Sequence, residues 1–140
     1  MTQEEKDLLF KNLCARLPYH TRVKVWLKDG TTEEGALDLE HNYGDVLRDA
    51  FYYDKIVKIK PFLFPLSSMT EEQLFEVQEI LGKNEIEIGD GFLSIIDSGR
   101  NTITYLEILA VLEWFYKNHF DVNNLIPMGL AIDATNLNIY

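Results

Sequence analysis

TRVKVWLKDGTTEEGALDLE, residues 21–40, is the stretch on which the fold class turns. Val23, Val25 and Leu27 alternate with Arg22, Lys24, Trp26 and Lys28, the period of a strand with one buried and one solvated face. Asp29-Gly30 follows, a pair that favours a tight hairpin turn because glycine accepts positive φ without a Cβ clash. The return strand is expected from Glu34 to Leu39, with Ala36, Leu37 and Leu39 available to the core. Strands here, with helical periodicity on either side, make the chain α+β.

Upstream, Thr2 and Glu5 form a capping box, the arrangement that satisfies free N–H groups at a helix start. Leu9, Phe10, Leu13, Cys14 and Leu17 recur at spacings of three and four, one buried stripe, and Pro18 ends the helix. Cys14 lies in that stripe and reads as a structural thiol. Downstream, HNYGDVLRDAF (residues 41–51) reads as a loop with at most one helical turn. YYDKIVKIKPF (residues 52–62) reads as a third strand, with Val57 and Ile59 on a face alternating with lysine and Ile56 out of phase. A helix followed by three antiparallel strands suggests a small curved sheet, an incomplete barrel of the SH3-like kind being one form it would take.

PFLFPLSSM (residues 61–69) is the main joint. Its two prolines fix φ and remove donors, yet Phe62, Leu63, Phe64 and Leu66 are too apolar for a free linker. The joint therefore reads as a strap within one domain, residues 1–140, between a helix-plus-sheet subregion (1–60) and a mainly helical one (70–140). A second helix starts after it. Ser68 with Glu71 and Thr70 with Gln73 offer two overlapping capping boxes, and Gly82 is its natural stop. NEIEIGDGFLSIIDSGRN (residues 84–101) reads as two short strands around Gly89-Asp90-Gly91. Thr104 and Glu107 would then cap a final helix, YLEILAVLEWFYKN, apolar nearly all round and so expected to be central and buried.

At 140 residues with 46% hydrophobic content, the chain supports a packed core without disulfide or metal. One cysteine excludes an internal disulfide. MTQEEKDLLF, the first ten residues, carries acids where a signal peptide carries lysine or arginine. No run reaches the ~18 apolar residues of a membrane span, so a cytoplasmic location without membrane association is expected. Residues 1–65 hold 11 acids against 10 Lys/Arg, whereas residues 66–140 hold 12 acids against Lys83, Arg100 and Lys117 alone. That second half disfavours nucleic acid as a partner. The basic patch at Lys55, Lys58 and Lys60, extended by Arg22 and Lys24, is a candidate interaction surface, although alternating charge is also what a solvated strand face shows.

Motifs for catalysis are missing. There is no G-x-S-x-G elbow, no P-loop, no H-E-x-x-H and no cysteine pair at metal spacing. His20, His41 and His119 lie in separate segments with no ligand spacing, so no metal and no cofactor is expected. The remaining ligand-binding candidates are His119 with Asp121, and His41 with Tyr43. His119 and Asp121 would form a pair that orients an imidazole. A structural account competes with that pairing: Asp121 as N-cap of a short helix through residues 124–126, Gly129 in its left-handed exit position, and His119 in the last turn of the long helix.

LCARLPY (residues 13–19), PLSSMTEEQ (65–73) and WFYKNHFDVNNLIPMGLAID (114–133) together resemble, in this order, a family of small uncharacterised proteins of anaerobic gut bacteria and their phages or other mobile elements. The family pattern is similar to L-C-A-R-L-P-Y-G, P-M-S-S-M-T-E-E-E and W-L-x-x-H-H-F-D-x-R-G-L-I-x-x-G-L-A. Here His20 replaces the glycine, Leu66 the methionine, Asn118 the first histidine, and Asn123-Asn124 the Arg-Gly pair. The resemblance implies a bacterial or phage cytoplasm and an accessory role, and brings no activity. The expectation is thus a non-enzymatic protein-interaction or regulatory module with a protein partner. The alternatives are a small ligand-binding protein or enzyme using His119 and Asp121, and an acidic mimic of nucleic acid acting in counter-defence.

Overall fold

The computed structural model describes residues 1–37, 43–51, 55–82, 85–89, 92–96 and 105–140. Its elements in chain order are helix α1 (Gln3–Arg16), strands β1 (Arg22–Leu27) and β2 (Thr32–Ala36), helix α2 (Tyr43–Phe51), strand β3 (Ile56–Leu63), helix α3 (Glu71–Ile80), strands β4 (Glu85–Gly89) and β5 (Phe92–Ile96), helix α4 (Tyr105–Lys117) and the short strand β6 (Ile132–Asp133). The chain is α+β, with a four-stranded mixed sheet ordered β2-β1-β3-β6 and a separate β4-β5 hairpin. It divides into two compact units, residues 1–63 with 125–140, and residues 64–124. The division falls inside the proline-containing joint, and the last sixteen residues group with the first unit.

In the first unit, α1 begins with the Thr2–Glu5 capping box: Glu5 N donates to Thr2 Oγ1 at 3.1 Å and Thr2 N to Glu5 Oε2 at 2.7 Å. Leu9 and Leu13 are buried, while Cys14 is half-buried. Pro18 stops α1 by opening a 3₁₀ turn, which His20 leaves at φ 53°. The β1–β2 hairpin forms as the alternation predicts, pairing Val25 with Glu33 and Trp26 with Thr32. Gly30 turns at φ 85°, and both Thr31 N and Oγ1 donate to Asp29 Oδ1 at 2.8 and 2.6 Å. These bonds hold the Asp29 carboxyl below its usual pKa. The return strand runs from Thr32 to Ala36, earlier than expected, and Leu37 is fully buried just beyond it.

Two readings of this unit need correction. Residues 43–51 form a helix, not a loop, because Leu47, Ala50 and Phe51 share a stripe that packs on the core, Phe51 meeting Phe10 edge-on at 5.0 Å. Tertiary burial here outweighs the turn preference of Gly44-Asp45. On β3, Val57 is 65% exposed whereas Ile56 and Ile59 are buried. The register explains it: Lys58 faces Trp26 and Ile56 faces Leu27, leaving Val57 as the extra residue of a β-bulge that reverses the side-chain phase. The sheet also gains a parallel strand the alternation did not reveal, β6, pairing Ile132 and Asp133 with Phe62 and Leu63.

In the second unit, Thr70, not Ser68, caps α3. Gln73 N donates to Thr70 Oγ1 at 3.2 Å and Thr70 N to Gln73 Oε1 at 2.9 Å. Gly82 follows α3 at φ 67°. The β4–β5 hairpin pairs Gly89 with Phe92 and Glu85 with Ile96; the expected cap at Thr104 lies outside the described residues. The core is Leu66, Val77, Leu81, Val111, Phe115 and Phe120. Helix α4 is not the buried helix its composition suggests. Only Val111 and Phe115 are buried, while Tyr105 and Leu106 are 74% and 75% exposed and Ile108, Leu109 and Leu112 are also open. Apolar residues on every face indicate burial only when a partner is available for each face.

Candidate functional site

The H-F-D segment is a backbone clamp. Lys117 ends α4, and His119 takes φ 64°, the left-handed conformation that closes a helix. His119 N donates to the Tyr116 carbonyl at 3.1 Å, while its own carbonyl accepts from Phe64 N at 2.9 Å. Asp121 N returns a bond to the Phe64 carbonyl at 2.9 Å, so Phe64 and Phe120 form a parallel bridge. Between them Phe120 inserts its ring, stacked on Trp114 at 5.7 Å and edge-on to Phe115 at 6.0 Å.

Asp121 is buried and its Oδ1 accepts from Asn123 N at 3.3 Å. That closes a side-chain turn rather than capping a helix: residues 125–129 are turns, with Gly129 at φ 73° as its glycine predicts. His41 lies outside the described residues, and Tyr43 opens α2 in the first unit, whereas His119 and Asp121 belong to the second. Among the described residues, no group of three or more His, Cys, Asp and Glu is placed to hold a metal ion.

The basic candidates divide. Strand pairing places Lys24 opposite Lys60 and Trp26 opposite Lys58, so with Arg22 they share the face of the sheet away from Val23 and Val25. Trp26 sits between two cations, Lys58 Nζ at 4.8 Å and Lys24 Nζ at 5.7 Å from its ring centroid. Each such contact stabilises by about 0.5–1 kcal/mol at an exposed site. Lys24 also pairs with Glu34 at 3.2 Å. Partial burial, and then the neighbouring Lys58, push the Lys60 ammonium below its usual pKa. Lys55 stands apart: it precedes β3 and binds Asp49 of α2 at 3.4 Å.

Sequence reasoning did not find the apolar face of α4. Tyr105, Ile108, Leu109 and Leu112 stand at spacings of three and four, one stripe along the helix. With Leu106 they leave five large apolar side chains of one helix open to solvent, and exposed apolar surface gathered in one place is where partners dock. The unit that carries this stripe is acidic in sequence. Residues 64–124 carry 11 Asp/Glu against Lys83, Arg100 and Lys117, and α3 exposes Glu71, Glu72, Glu76 and Glu79 beside Phe75, which is 61% exposed. Trp114 Nε1 donates to Glu76 Oε2 at 2.9 Å, tying α4 to α3. The signal available in the sequence was the pairing of apolar excess with acidic excess over residues 64–124.

Compared with protein-family models, curated proteins and solved structures, the chain matches none. No helix among the described residues is long and apolar enough to cross a membrane.

Proposed function

We infer that this chain is a non-enzymatic protein-interaction module whose second unit docks a cationic amphipathic segment of a protein partner. The observation that carries this reading is the open stripe Tyr105, Ile108, Leu109 and Leu112 on α4. An apolar stripe on an acidic unit complements a helix that carries Leu or Phe on one face and Lys or Arg beside it. Self-association through the same surface is opposed by like charge, because residues 64–124 sum to −8 from 11 acids and 3 bases. The use of His119 and Asp121 main-chain groups in the Phe64 clamp supports a structural role for the H-F-D segment over an enzymatic one. The bacterial or phage cytoplasm rests on the resemblance of the three sequence motifs.

A photo-crosslinking residue placed at Leu109 tests the reading in bacterial lysate. Capture of one protein through a basic amphipathic segment, lost in a Leu106→Glu variant, is expected. Capture through acidic or purely polar segments, or capture unaffected by that variant, would refute it. Added DNA displacing the captured protein would instead favour mimicry of nucleic acid by the acidic surface.

A further inference from the structure

A second site, in the first unit and independent of α4, lies where the sheet splits. Strand β6 pairs with β3 only at Phe62 and Leu63. Immediately before β6 the chain curls on itself: Gly129 N donates to Ile126 O at 2.9 Å, Leu130 N to Leu125 O at 2.8 Å and Ala131 N to Leu125 O at 3.2 Å. Those donors are spent within the turn and do not reach β3. A cavity of about 380 Å³ opens between residues 57–60 and residues 128–130, lined as well by Met1, Glu5 and Leu9 of the N-terminal segment.

The main chain of β3 presents an unused edge there. Leu63 O accepts from Ala134 N at 2.8 Å, so Leu63 faces the β6 side. Strand backbone repeats every two residues, so Pro61 and Ile59 face the same side. Pro61 independently agrees, because opposite Val23 a proline fits only where its missing N–H would point away from β1. Ile59 therefore directs both its N–H and its C=O into the slot, and among the described residues neither is bonded from that side.

We propose that this slot binds an extended peptide segment of acidic–apolar–acidic pattern, which adds to β3 as a strand opposite Ile59. Residues paired across neighbouring strands point to the same face. The peptide residue opposite Ile59 thus sends its side chain inward, beside Leu9 and Leu130, and must be apolar. Its two neighbours point to the other face, beside Lys58 and Lys60, and are best acidic. Lys24 is held by Glu34 and Lys55 by Asp49, whereas Lys60 has no carboxylate partner among the described residues. The volume suits one apolar side chain and the backbone around it.

The test is an amide NMR titration of the full chain with acetyl-Thr-Glu-Val-Glu-Thr-amide. Ile59 and Leu130 amides are expected to shift, and Ile59 to gain protection from hydrogen exchange. Lys60→Glu should weaken binding about fivefold and transfer preference to acetyl-Thr-Lys-Val-Lys-Thr-amide, with the spectrum otherwise intact. Met128→Trp, at a 41% exposed position on the rim, should block the slot without touching Lys60. An Ile59 amide unmoved at millimolar peptide would overturn the proposal. So would equal binding of both peptides to both chains, or a shift produced by octanoate and not by the peptide, which would make the slot a small-molecule site. Substitutions at Leu106 should leave all of this unchanged.

Discussion

Replacing Leu106 by Glu, compared with replacing Phe115 by Ala, measures how differently the two faces of α4 are used. Leu106 is 75% exposed. Full burial of a leucine stabilises by about 2 kcal/mol, so the quarter that is buried contributes about 0.5 kcal/mol. A carboxylate in the first turn of a helix regains about 0.5 kcal/mol from the helix dipole, leaving Leu106→Glu within about 0.5 kcal/mol of neutral. Phe115 is 1% exposed and its ring meets Trp114 at 5.4 Å and Phe120 at 6.0 Å. Its truncation to alanine removes a ring from a closed core and should cost about 3–5 kcal/mol. Urea unfolding checks both, in a Trp26→Phe background that leaves Trp114 as the only indole and so reports the second unit. A loss above about 2 kcal/mol for Leu106→Glu would mean that this face is packed, and the docking argument would fail with it.

Thr70→Ala removes the cap of α3 and should destabilise the second unit by about 1 kcal/mol, by the same unfolding assay. Tyr140 accepts from Arg22 N at 3.0 Å and donates to the Phe62 carbonyl at 2.8 Å, and burial raises its phenol to about 12. A pKa higher in the folded chain means stability that is complete below pH 10 and lost as pH rises from 10 towards 12. Wild-type melting temperature should fall in that window more steeply than that of Tyr140→Phe. Cys14, whose thiol is pushed up by burial, should react with iodoacetamide at neutral pH more slowly than a free cysteine; labelling at the free rate would show the α1 stripe to be open.

Local chemistry made much of this fold legible. Asp29-Gly30, the Thr2–Glu5 box and Gly82 act through their own backbone and nearest neighbours, so residue type alone fixes them. The departures are long-range. Val57 faces solvent because a bulge between β1 and β3 shifts the phase, which neither strand shows in isolation. Residues 43–51 are helical because Leu47 and Phe51 find a core. β6 is two residues long, too short for any alternation to register.

The candidate sites divide in the same way. Arg22 with Lys24, and Lys58 with Lys60, were each readable as one side of a strand from period two; the pairing of β1 with β3 is what puts the two sets on one face of the sheet. The slot beside Ile59 was not readable, since it depends on a turn 70 residues away declining to pair. His119 drew attention as an imidazole, whereas its fixed contribution is a left-handed backbone and a carbonyl. The α4 surface was hidden by the rule that a helix apolar all round is buried, which assumes that its partners lie within the same chain.

The most direct test is fluorescence anisotropy of a labelled 18-residue Leu/Lys amphipathic helix, titrated with the wild-type chain and with a Leu106→Glu, Leu109→Glu variant. A scrambled peptide of equal composition serves as the control. The account predicts saturable binding to wild type, at least tenfold weaker binding to the variant, and weak binding of the scrambled peptide. Equal affinity for the ordered and scrambled peptides, or for the two chains, would contradict it, because the attraction would then be charge alone and the apolar stripe of α4 would have no part in it.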